Sequence, residues 1–74
     1  MAHTEELRER VRSALARMSA RDRELLVLRH LEQLPTKEIA AILGIAEAAV
    51  KKRHVRALDR LHALLRTELE ENDS

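Results

Sequence analysis

A chain of 74 residues holds one small domain and has no room for a second core. It contains no cysteine and no Phe, Tyr or Trp, which excludes disulfides and thiolate metal sites and argues against single-strand binding by base stacking. The net charge of +1 hides a segregation: the C-terminal tail is acidic, while one stretch of the C-terminal half is strongly basic.

Residues 4–18 read as a first helix. Thr4 is placed to cap it, Glu5 and Glu6 suit the positive end of its dipole, and Leu7, Val11, Leu15 and Met18 recur at helical spacing. Ser19 is the expected cap of a second helix over 20–32, with Asp22 at the capping-box position. Leu25, Leu26, Val27 and Leu28 give this helix its apolar content. Pro35 cannot continue a helix and pushes Leu34 toward extended geometry.

A third helix over 36–43 follows, with Thr36 as its expected cap and Ile39, Ile42 and Leu43 as its apolar face. Gly44, the one glycine of the chain, falls where a helix C-terminus needs a left-handed residue, and Ile45 is expected to tuck back into the core. The fourth helix is predicted over 47–67, with a tail over 68–74 that frays. Val50, Ala57, Leu58, Leu61, Leu64 and Leu65 form its buried stripe. Ala48, Lys52, Val55, Arg56 and Asp59 lie opposite, Ala49 lies beside them, and Lys51 and Arg53 lie on the flanks. Between Glu47 and Arg66 there are six basic residues against two acids, a net of +4.

The fold expected is therefore all-α, a four-helix domain with no strand pattern. A short helix, a tight glycine turn and a longer basic helix form a helix-turn-helix, the unit that lays one helix in the major groove of double-stranded DNA.

The stretch 19–65 also resembles region 4 of the bacterial sigma-70 family, in particular the extracytoplasmic-function (ECF) type. The matching residues are Arg23, Leu28–Arg29, Glu32, Leu34, Glu38–Ile39–Ala40, Leu43–Gly44–Ile45, Val50–Lys51, Arg53, Arg56–Ala57 and Leu61. The resemblance implies recognition of the minus-35 promoter element in transcription initiation. It also implies contact with the RNA polymerase core at the β-subunit flap, and capture by an anti-sigma factor. Carried over by position, base reading falls on Glu47, Ala48, Lys52 and Arg56. Backbone contact falls on Ala49, Lys51 and Arg53, with Thr36 and Lys37 at the start of the third helix. The faces assigned from periodicity agree with this division.

Four positions depart from the family pattern. Ala46 stands where a capping serine is usual, Ala49 replaces a threonine, Lys52 replaces a serine, and His54 occupies a normally apolar place. A working sigma factor also has a region 2, and no stretch of this sequence fits one. The expectation is an isolated region 4 domain rather than a small stand-alone regulator.

Two rival readings stand beside this one. The first is a protein-interaction module held by an anti-sigma factor or by polymerase. The second is the effector domain of a LuxR-type regulator, which has a similar four-helix layout. That family shows V-K-x-H where this chain has Val50-Lys51-Lys52-Arg53, and the continuation Arg56–Leu61 fits the sigma pattern better. No nucleophile–base pairing, glycine-rich phosphate loop or metal-ligand spacing supports an enzyme, a cofactor or a small-molecule substrate. The four histidines are scattered and are expected at or near the surface. No apolar run has the length of a membrane span and no signal-peptide pattern opens the chain, so the expected location is cytoplasmic.

Overall fold

The architecture is set by two apolar clusters that share one wall. A computed structural model describes the backbone of residues 2–73 and the side chains of residues 4–70. All of its regular elements are helical: α1 (Ala2–Ala16), α2 (Ala20–Leu26), α3 (Thr36–Leu43) and α4 (Glu47–Asp73). Leu25 and Leu26, adjacent in α2, point into different clusters. Leu25 joins Ile39, Ala40 and Val50 between α2, α3 and the start of α4. Leu26 joins Ala14, Met18, Ala57 and Leu64 between α1, α2 and the body of α4. Because α4 is long enough to reach both, it is the spine of the domain. Its 27 residues match the longest dimension of 43 Å at about 1.5 Å per residue.

Helix ends follow from local chemistry. The Ser19 hydroxyl accepts a bond from the Asp22 amide, as the sequence suggests. Arg23 closes the other side of that corner. Its guanidinium donates to the Leu15 carbonyl, which also accepts from the Met18 amide, and to the Met18 carbonyl just past the end of α1. Gly44 takes up φ 69° and ψ 36°, and the Ile45 amide reaches back to the Ala40 carbonyl, closing α3 in a Schellman-type turn. Ile45 packs against the cluster of Leu25, Ile39, Ala40 and Val50.

Six expectations are corrected. α1 begins at Ala2, ahead of Thr4. Its Leu7 and Val11 are exposed, because Glu68 already lies opposite Ser13 and Arg17 and little of α4 remains to cover the first turns. The second helix is not α-helical to residue 32. It widens into a π turn over Val27–Leu31, with the Glu32 amide bonded to the Val27 carbonyl, and ends where Gln33 adopts φ 56°.

Thr36 does not cap α3. Pro35 holds the cap position with extended backbone, its carbonyl accepts from Glu38 and Ile39, and Thr36 is the first helical residue. Ile42 lies off the buried face, at 55 % exposure, because three residues of helix carry it to the far side of Ile39 from Leu43. Finally, the stretch 68–73 continues α4 rather than fraying, anchored at Glu68.

Candidate nucleic-acid interface

The turn at Gly44 swings the chain so that α4 starts on the surface beside α3 and then runs inward along its Val50–Ala57–Leu64 stripe. All three of those residues are buried. Helical periodicity then forces the opposite side outward. Ala48, Lys52, Val55, Arg56 and Asp59 are all exposed, as are Glu47 and Lys51. Val55 is 58 % exposed, an apolar group in the middle of a charged face. α4 opens without a side-chain cap: the Ala46 carbonyl accepts from the Ala49 and Val50 amides, and its methyl group offers nothing to the remaining free amides.

Lys51 and Arg53 fall on opposite flanks, and each borders a different cleft. A cleft of about 250 Å³ between α2, α3 and α4 is lined by Arg29, Thr36, Ile39, Lys51, His54 and Val55. Thr36, Lys51 and the preceding helix therefore meet at one place, with exposed Lys37 next to Thr36. Arg53 is half-buried and borders the other cleft, with Arg21, Glu24, Ile42 and Ile45. Ala49 is also half-buried. Of the other eight candidate site residues, Glu47, Ala48, Lys52 and Arg56 form the outward face, Thr36, Lys37 and Lys51 gather on one flank, and Arg53 stands apart on the other.

The electrostatic state of this face follows from its pairing. The ion pairs among the described residues are Glu5–Arg8, Glu9–Arg12 and Arg17–Glu68, all away from the first turns of α4. Lys51, Lys52, Arg53 and Arg56 have no carboxylate within ion-pair distance among the described residues. Among the described residues, then, no ion pair competes for their charge, which is open to an external anion. No group of three or more His, Cys, Asp or Glu among the described residues is placed to hold a metal ion. No helix among them is long and apolar enough to cross a membrane.

Sequence reasoning missed two residues at this site, Arg29 and His30. Arg29 lines the Lys51 cleft and donates to the Leu34 carbonyl at 3.3 Å. His30 meets His54 of α4, with their Nε2 atoms 2.9 Å apart and ring centroids 5.1 Å apart. The π turn sets the register of His30, and nothing in the local sequence announces that turn.

On the other side of α2 lies an apolar groove lined by Leu15, Leu26, Val27, Leu31, Leu58 and Leu61. Leu31, at its edge, is 76 % exposed.

The comparisons with known proteins agree with this geometry. A family model described as Sigma-70, region 4 matches residues 8–61. The chain is 39 % identical over 59 residues to the RNA polymerase sigma factor FliA of Yersinia enterocolitica, covering 80 % of this chain and 26 % of that protein. It is 37 % identical over 59 residues to FliA of Escherichia coli K12, covering 80 % and 25 %. It is 45 % identical over 56 residues to the RNA polymerase sigma-E factor of Streptomyces avermitilis, covering 76 % and 29 %. The chain thus spans about a quarter of the length of the curated relatives it matches. No solved structure matches it at comparable significance. With most of its length matched, and with the helix-turn-helix in place, the chain belongs to the sigma-70 region 4 family.

Proposed function

We propose that this domain recognises the minus-35 element of promoter DNA for a sigma factor of the ECF type, laying the first turns of α4 in the major groove. The observation that carries the reading is the outward face of α4. There, Lys52 and Arg56 stand one turn apart beside small Ala48, with Lys51 and Arg53 on the flanks, and no carboxylate among the described residues lies within ion-pair distance of them. Small side chains at the helix start permit close approach to base edges. The two long cations reach guanine acceptors or phosphates further along. Lys51, Arg53, Ala49, Thr36 and Lys37 fix the helix on the sugar–phosphate backbone.

The relatives' names carry RNA polymerase, and we assign a polymerase contact to this chain as well. The apolar groove beside Leu31 supports that second surface, for the β-subunit flap or for an anti-sigma factor, because it lies away from the DNA face. The reading assigns no catalysis and no cofactor to the domain.

The test is salt-dependent binding to a randomised pool of short duplexes, followed by sequencing of the bound fraction. A short enriched motif, with affinity that falls as salt rises, is the expected result. Retention of the pool without any enriched motif would remove base recognition from the reading, and no binding at low salt would remove DNA altogether.

A further inference from the structure

The His30–His54 contact joins the π turn to the third turn of α4, and it is built on a shared proton. With Nε2 atoms 2.9 Å apart, one imidazole must donate and the other must accept. The pair holds this contact with no added proton, or with one. A second proton makes both Nε2 atoms donors and places two cations against each other. The planes are inclined by only 29°, so the rings also stack, and both contacts are lost if the imidazoles repel.

We propose that the His30–His54 pair is a proton-sensitive clip that seats α4 against the preceding helix, closed near neutral pH and opened by acid. That α4 is the DNA-facing helix rests on the reading above; the clip itself does not.

The surroundings favour opening over compensation. From the π turn, Arg29 faces His54 in the same cleft, and from α4, Lys51 lines it. α3 contributes uncharged Thr36 there, and α1 contributes only Leu15 to the groove on the His30 side. No carboxylate among the described residues lies within ion-pair distance of either ring. His54 is held below the ordinary imidazole value, first by burial, then by the charge of His30, then by the Arg29 guanidinium. A depressed folded value means that the unfolded chain binds the proton more readily. The stabilisation is therefore complete above the ordinary imidazole range and is lost as pH falls through the folded value.

The deciding experiment follows the histidine C2 protons by NMR from pH 8 to pH 4.5, together with the thermal midpoint, in the wild type, His30→Ala and a His62→Ala control. His30 and His62 are exposed, so neither substitution opens a cavity in the buried clusters. In the wild type the pair should titrate in two separated steps, and the thermal midpoint should fall across the lower one. In His30→Ala, His54 should titrate in a single step at higher pH than the lower wild-type step, and that fall should shrink, because burial and Arg29 still hold His54 below its ordinary value. Independent titration of the two rings, with the same His54 midpoint in wild type and His30→Ala, would overturn the proposal, as would parallel stability curves. No DNA is present, so failure here leaves the promoter reading intact, and failure of the duplex selection leaves the clip intact.

Discussion

The Ser13 hydroxyl donates to Glu68 Oε1 across 2.8 Å, and Arg17 reaches the same oxygen at 3.3 Å. Three side chains thereby fasten the end of α1 to the far part of α4. The Glu68 side chain is only 12 % exposed, whereas Arg17 is 47 % exposed. The Arg17 contribution is therefore screened, and the hydrogen bond to a sheltered carboxylate matters more.

Glu68→Ala should lower stability by about 1 kcal/mol. For a domain of this size that corresponds to roughly 4–8 °C in thermal midpoint. Backbone amides of residues 66–70 should exchange faster in hydrogen-exchange NMR. Unchanged protection there would mean that α4 holds its last turns without α1.

Gly44 offers a clean separation of strain from packing. Its φ of 69° is left-handed, yet a Cβ added there meets nothing within 4 Å. Gly44→Ala should therefore cost only the backbone penalty, about 1–2 kcal/mol. Gly44→Asn should cost less, since asparagine enters that region more readily. Urea unfolding of the two variants measures the order; an alanine variant as stable as wild type would mean that the turn had moved.

Ala46 is the converse case, a place where stability can be gained. Its carbonyl already accepts the first helical bonds of α4, so it occupies the cap position with no oxygen to offer. Ala46→Ser should add about 1 kcal/mol by satisfying an amide of the first turn. Chemical denaturation checks this, and duplex binding of the same variant shows whether a better-ordered start of α4 also tightens DNA.

These residues show what the sequence makes legible. Pro35 and Gly44 act through their own backbone, so a reader sees them at once. The Val50–Ala57–Leu64 stripe is visible because one period runs through an unbroken helix. The same logic failed where geometry is non-local. The division of Leu25 and Leu26 between two clusters depends on where three other helices lie. The π turn at Val27–Leu31 shifts the register of His30 without any glycine or proline to mark it. Glu68 reads as part of a polar tail until α1 is folded beside it. Of the candidate site, the outward face of α4 follows from periodicity alone, whereas the cleft that gathers Arg29, Thr36, Lys51 and His54 requires the fold.

That cleft and that face make different demands on DNA, and two substitutions separate them. Lys51 lies on the flank beside Thr36, where a groove-seated helix meets phosphates. Lys51→Ala should weaken binding to all duplexes alike and reduce the slope of log affinity against log salt by about one unit. Arg56 lies on the outward face with no carboxylate within ion-pair distance among the described residues. If it reads a guanine, Arg56→Ala should cost about 1–3 kcal/mol on the selected sequence and much less on a scrambled one. Both residues are exposed, so neither change should move the thermal midpoint by more than about 2–4 °C, the range of a neutral surface substitution in a domain of this size. Titrations of each variant against selected and scrambled duplexes at several salt concentrations distinguish the roles. Equal loss on both duplexes for Arg56→Ala would reassign it to the backbone. Wild-type binding by both variants would mean that the DNA lies on another face of α4.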